Sequence, residues 1–320
     1  MITNVLIISL AVLISLSLLV LFGSYIAYRR AFYNNPKKNR VDPYRHIKND
    51  GTPEDEKSRT LIENVQKLPY RDVFTTSHDG LRLHAKFFSC GNVSAPVAIQ
   101  MHGYKSHPYI DFSGGCPLAL KMGFDVIAVS QRACGESEGR TLTFGENESR
   151  DALRWIEYVR ENLGADRKII LFGVSMGAAT VIMAAGRGLP ESVHGVVADC
   201  PCSSAKDIVI RVANKMGLPG IYLYPLARLG GILFGNFDPN RAEPREFVKN
   251  SKVPILLIHG EGDTFVPADM SREIAAASRA VELHIFPDAP HGQSFIYDEE
   301  RYTALLNEFC NRCLSDSKNA

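Results

Sequence analysis

Lys168-Ile169-Ile170-Leu171-Phe172-Gly173-Val174-Ser175-Met176-Gly177-Ala178-Ala179-Thr180 is the stretch on which the fold turns. Residues 168–172 are an apolar run behind one lysine, the composition of a strand buried on both faces. Residues 176–186 are small and apolar and read as a helix. Between them Gly173-Val174-Ser175-Met176-Gly177 matches G-x-S-x-G. Alone, that pattern is weak. Set between a buried strand and a small-residue helix, it describes a sharp turn that lifts a serine to its tip. The turn is crowded, so residues without bulk are needed where strand and helix meet. The helix N-terminus also brings partial positive charge toward the serine oxygen. Ser175 is therefore the candidate nucleophile.

Outward from this turn, the pattern repeats. Residues 72–76 and 81–88 flank the turn Ser77-His78-Asp79-Gly80 and read as an antiparallel hairpin. Residues 96–101, 124–129, 193–198, 253–258 and 282–286 read as further strands, and 115–122, 146–163 and 295–314 as helices. Leu153, Ile156, Val159 and Leu163 share one face of the 146–163 segment. The alternation predicts an α/β fold with one mostly parallel sheet covered on both faces. One segment interrupts it. Between Cys202 and Asn236 there are only apolar helical stretches, 208–218 and 221–234. They are expected to form a helical cap, about 202–240, over the C-terminal edge of the sheet. Its residues Ile208, Val212, Leu218, Tyr222, Leu226 and Leu233 are expected to line an apolar pocket.

Toward the N-terminus, residues 2–28 carry no charge. As a helix they would reach about 40 Å, against a hydrocarbon core of about 30 Å. Tyr25, Tyr28, Phe32 and Tyr33 fall where an interfacial aromatic belt would sit. Met1-Ile2-Thr3-Asn4 has no charged side chain, and no A-x-A-like site follows the apolar run. The expectation is a transmembrane anchor over 1–28 rather than a cleaved signal peptide. Arg29, Arg30, Lys37, Lys38, Arg40, Arg45 and Lys48 follow it. They predict a cytoplasmic main domain, with these cations near anionic head groups. Residues 29–68 are polar, contain Pro36, Pro43 and Pro53, and read as a basic linker with room for one short helix. The folded domain is expected over 69–320.

Composition narrows the partners. In 320 residues, 45 % are apolar, enough for a large core, and the formal net charge is +1. That charge gives no basis for nucleic acid as a partner. The 7 cysteines are an odd number in a long chain, which favours reduced thiols over a disulfide framework. Cys200-Pro201-Cys202 is tight for a zinc knuckle, and Cys310 and Cys313 would share a helix, so no metal is expected. No dinucleotide or phosphate-loop motif is present, and no cofactor is expected.

A serine hydroxyl needs a base, and the base needs a carboxylate to orient it. The late histidines are His259, His284 and His291, and the acids near them are Asp199, Glu261, Asp263 and Asp288. His284 lies inside a strand and reads as structural. His259 ends a strand, and Asp288 reads as a turn residue.

The ordered motifs His102-Gly103-Tyr104, Gln131-Arg132-Ala133-Cys134-Gly135-Glu136-Ser137-Glu138-Gly139, Gly173 to Gly177, Gly260-Glu261-Gly262-Asp263 and His291-Gly292 carry a resemblance. The chain resembles the α/β-hydrolase superfamily, and more closely the bacterial serine aminopeptidase- and esterase-like hydrolases with a small helical cap. The resemblance covers about residues 72–314. It implies His291 as the base, Asp263 as the acid, and backbone N–H donors on Met176 and Tyr104 for the oxyanion. His102 then orients its loop. Cys134 stands where the family pattern carries histidine, so no role is borrowed for it and a buried thiol is expected. The implied function is hydrolysis of a small-molecule acyl ester through an acyl-enzyme on Ser175, without a cofactor. An aminopeptidase or amidase would use the same residues, with an acidic anchor for the substrate amine. A membrane-tethered, non-catalytic binding module on this scaffold is the third possibility.

Overall fold

Alternate residues of each central strand serve two different cores, and this decides the layering. Among the described residues, eight strands form one sheet: β1 (Arg71–Thr76), β2 (Arg82–Phe88), β3 (Val97–Met101), β4 (Asp125–Ser130), β5 (Ile169–Val174), β6 (Val193–Asp199), β7 (Ile255–Gly260) and β8 (Val281–Phe286). Their order is β1-β2-β4-β3-β5-β6-β7-β8. β2 pairs antiparallel with β1 and β4, and all other pairs are parallel. Ile99, Leu171, Val196 and Leu257 point into one core, and Ala98, Ile170, Val197 and Leu256 into the other. Strands buried on both faces have no polar side, which is why they read as continuous apolar runs.

The helices are α1 (Ile2–Ala31), α2 (Pro53–Gln66), α3 (Pro108–Asp111), α4 (Gly115–Lys121), α5 (Glu148–Asn162), α6 (Met176–Gly186), α7 (Ala205–Lys215), α8 (Gly220–Gly235), α9 (Pro244–Phe247), α10 (Asp269–Ala277), α11 (Ser294–Tyr297) and α12 (Glu299–Ser315). Trp155, Ile156 and Val159 of α5, Val181 and Ile182 of α6 and Ile274 of α10 fill the first core. Val65 of α2, Cys116 and Ala119 of α4 and Leu306, Phe309 and Cys313 of α12 fill the second. The computed structural model describes residues 2–39, 41–45, 47 and 51–315. Met1, Arg40, Lys48 and residues 316–320, invoked above, lie outside the described residues.

Two local expectations change. The closing helix is divided: Asp298 ends α11, and its carboxylate accepts from the N–H of Arg301 to start α12. The apolar N-terminal helix continues to Ala31, and its last turn is not free, since Tyr28 and Phe32 are buried against Ala227 and Phe237. The described residues of the 29–68 segment include one helix, α2, as the sequence allowed, and they are tied to the folded domain. Asn34 N–H donates to the Arg140 carbonyl, Thr52 caps α2, and α2 buries Ile62 and Val65. An amphipathic helix with a capping threonine and a proline in its first turn is a good docking element.

Trp155 is fully enclosed in the first core. Trp155→Ala should cost about 3–5 kcal/mol of stability, measured by urea unfolding followed by far-UV circular dichroism. A loss below about 1 kcal/mol would show that this core does not carry the fold.

Candidate active site

The site is built where β5 breaks into α6. Ser175 has φ 56 and ψ −116, a strained backbone for a side chain with a Cβ. Its N–H donates to the Asp199 carbonyl at 2.8 Å, which holds the turn against β6. The flanking glycines are steric necessities. A Cβ on Gly173 would overlap the Gly177 carbonyl, and one on Gly177 would overlap the Met101 carbonyl. The first turn of α6 therefore lies directly on the end of β3.

That contact brings the loop after β3 to Ser175. A Cβ on Gly103 would sit 3.3 Å from the Ser175 Cβ. Among the described residues, no internal acceptor takes the N–H of Tyr104 or of Met176. Two side chains fix this loop. His102 is buried, its Nδ1–H donates to the Gly103 carbonyl at 2.8 Å, and its Nε2 accepts from the Gln131 N–H at 3.1 Å. Burial pushes its pKa down to about 3, against the pull of the Gly103 carbonyl, so the ring is neutral and its two nitrogens are committed. Asp111 accepts from the Gly103 N–H at 2.5 Å and from the Ser106 hydroxyl at 2.8 Å. Sequence reasoning missed Asp111, which belongs to a four-residue helix with no motif of its own.

The structure brings Ser175, His291 and Asp263 into one chain of hydrogen bonds. His291 Nε2 is 2.9 Å from Ser175 Oγ, and His291 Nδ1 is 2.5 Å from Asp263 Oδ2. Asp263 Oδ1 accepts from the N–H groups of Phe265 and Val266, each at 2.8 Å. His259, set aside by sequence reasoning, also faces this carboxylate at 3.2 Å, and its Nδ1 accepts from Ser271. Burial alone would raise the Asp263 pKa, but hydrogen bonds from His259 and His291 outweigh it and hold the pKa well below the ordinary value. The other acids are placed elsewhere. Glu261 pairs with Arg272 at the surface, Asp288 has a turn conformation at φ 58, and Asp199 accepts from the Tyr302 hydroxyl at 3.2 Å. Cys134 is a buried thiol raised to about 12 by burial.

Known proteins share this frame. Residues 101–224 match the α/β hydrolase fold family, and residues 231–311 match the dienelactone hydrolase family. An esterase of Pyrococcus furiosus superposes with a TM-score of 0.66 at 25 % identity, over 88 % of this chain and 98 % of its own. The chain belongs to the α/β-hydrolase superfamily. The uncharacterized protein YqkD of Bacillus subtilis is 25 % identical over 202 residues, 62 % of this chain and 66 % of its own length. The lysophosphatidylserine lipase ABHD12 of Danio rerio is 23 % identical over 235 residues, 68 % of this chain and 58 % of its own.

In this α/β-hydrolase, a cavity of about 700 Å³ opens beside Ser175 and His291. Its walls correct the sequence-based expectation. Ile208, Val212, Leu218, Tyr222, Leu226 and Leu233 do not line it. It is lined instead by Pro43, Ile47 and Ile62 of the N-terminal segment, by Phe265, and by Phe112, Phe124 and Phe172. The cap residues are spent elsewhere: Ile208 packs on Ala179 and Val266, and Leu226 lies against Gly23 of α1. Hydrophobic periodicity marks a face as buried but cannot say against what.

Two donor groups could be considered for a metal. Cys200, Asp263 and His291 place ligand atoms within 4.8 Å of one another. The His291 and Asp263 atoms already bind each other, and burial pushes the Cys200 thiol well up, which disfavours a thiolate ligand. In the group of His78, Asp79 and Asp151, Arg132 already neutralises both carboxylates.

Asp199 reaches the cavity wall and is fully buried, and burial lifts its pKa from 3.8 to about 6. The attraction of His259 and the Tyr302 hydrogen bond offset only part of that. A raised carboxyl pKa means that the folded state binds the proton more tightly, so stability falls as pH rises from about 4 to 6. The displacement corresponds to about 3 kcal/mol. Asp199→Asn should therefore be more stable than the parent chain at pH 8, with the difference gone at pH 4, as read by urea unfolding at both pH values. An equal effect at both would refute the assignment.

Proposed function

We propose that this protein is a membrane-anchored serine hydrolase that cleaves acyl esters through an acyl-enzyme on Ser175. The hydrogen-bonded path from Ser175 through His291 to Asp263 carries the proposal. In the reaction, His291 Nε2 takes the hydroxyl proton as Ser175 Oγ attacks the ester carbonyl carbon. The ionised Asp263 stabilises the imidazolium and keeps Nδ1–H pointed at itself. The N–H groups of Tyr104 and Met176 receive the oxyanion of the tetrahedral intermediate. The C–O bond then breaks, and the leaving alkoxide takes the proton from His291. Water, deprotonated by the same ring, repeats the attack and frees the acid.

The substrate side rests on the cavity. Phe112, Phe124, Phe172 and Leu306 give it an apolar wall suited to an acyl chain. A lipid ester fits this lining, and the lipase named among the relatives favours it. The anchor is α1, the one helix among the described residues long and apolar enough to cross a membrane. Arg29 and Arg30 in its last turn and Lys37 and Lys38 beyond it favour a cytoplasmic hydrolase domain. One observation keeps an amide substrate as a second reading. Asp199 Oδ1 is buried without a hydrogen-bond partner, and its residue lines the cavity, as an anchor for a substrate amine would.

A fluorophosphonate probe should label the full-length protein in detergent, and Ser175→Ala should abolish labelling. His291→Ala should lower kcat/KM on p-nitrophenyl esters by at least about 10³-fold. Cleavage of aminoacyl-naphthylamides without ester cleavage would transfer the assignment to the amidase. An unlabelled, folded protein would leave the non-catalytic binding module.

A further inference from the structure

The cap region that leaves the cavity unlined presents an apolar surface outward. Met216, Leu218, Ile221, Tyr222 and Leu233 are exposed, Ile221 by 66 % and Tyr222 by 81 %. Apolar groups this exposed cost free energy in water and mark an interaction surface. α8 has no acidic residue, and its single cation, Arg228, is paired with Asp238.

What covers this surface follows from how α8 meets α1. Leu226 lies against Gly23, and further along both chains Gly230 seats on Ser24 and Tyr28. A Cβ on Gly230 would overlap the Ser24 carbonyl, so the backbones approach as closely as in small-residue packing between membrane helices. The Phe234 ring then meets the rings of Tyr25 and Tyr28 at 5.3 and 6.0 Å. The contacts advance together, so the two helices run in the same direction. From Leu226 back to Ile221, α8 continues about 7 Å along its own axis, past Gly23 and toward the N-terminal part of α1, while Lys215 at the end of α7 donates to the Thr264 carbonyl. The turn holding Met216 and Leu218 is carried with it.

The level of the interface is marked independently. The Arg29 guanidinium lies 3.9 Å from the Tyr33 ring centroid and donates to the Tyr25 hydroxyl. Such aromatic and arginine side chains sit at the head-group level. Ile221 and Tyr222 lie on the hydrocarbon side of that belt.

We infer that the tip of the cap, residues 216–222, inserts into the acyl-chain region of the bilayer beside α1, so that the hydrolase domain is seated in the membrane surface rather than tethered above it. This rests on α1 spanning the membrane. The partner is the lipid itself, and the protein makes two adjoining contacts with it.

Depth-dependent quenching tests the inference on the full chain in phosphatidylcholine vesicles containing acyl-chain-brominated lipid. Three single variants each add a reporter: Tyr222→Trp at the cap tip, Leu13→Trp in α1, and Val93→Trp in the exposed loop before β3. The native Trp155 is fully buried and contributes the same background to all three. The expected result is quenching of the Tyr222→Trp and Leu13→Trp proteins by brominated lipid, with Val93→Trp unchanged. Quenching of Leu13→Trp alone would overturn the cap insertion and leave the anchor standing. Quenching of neither would overturn the anchor, and the insertion with it.

Discussion

The close approach of α6 to the end of β3 is the contact on which the rest depends. The Gly177 backbone occupies space beside the Met101 carbonyl that no side chain could share. This contact sets the angle at which Ser175 leaves the sheet and brings the 102–106 loop against it. Strain at Ser175, with φ at 56, is tolerated because β5 and α6 are each buried on all sides. A rigid sheet thus holds the Ser175 hydroxyl in a conformation that an isolated turn would abandon.

Electrostatics divides the buried ionisable groups according to what surrounds them. Asp263 receives hydrogen bonds on both oxygens and stays ionised despite burial. Asp199, one strand away, has a single phenol donor and is lifted toward neutrality. His102 is held neutral by burial, which suits a ring that bridges two backbone groups instead of moving protons. Equivalent side chains acquire different properties because the count of local donors differs, with desolvation common to all.

The N-terminal helix belongs to the same mechanical unit. The Tyr104 hydroxyl donates to the Ala31 carbonyl at 2.8 Å, Tyr28 bonds Thr141, and Asn34 donates to the Ala133 carbonyl. Tyr104 therefore ties the last turn of α1 to the loop whose backbone faces Ser175. The segment that follows supplies part of the cavity lining.

Much of this was legible in the sequence because it rests on local rules. Continuous apolar runs located the parallel strands, G-x-S-x-G between a buried strand and a small-residue helix located the elbow, and an uncharged N-terminal run located α1. The divided closing helix escaped because a single capping aspartate, Asp298, outweighs a continuous amphipathic pattern. Asp111 and His259 escaped because their roles arise from contacts between distant segments. The cap was found as two apolar helices, but its partner was misjudged. Periodicity reports that Leu226 and Tyr222 are apolar and on which face of a helix they lie. Only the three-dimensional packing decided that Leu226 meets α1 while Tyr222 stays exposed, because burial depends on which surfaces the chain brings together, and that choice is made by long-range contacts.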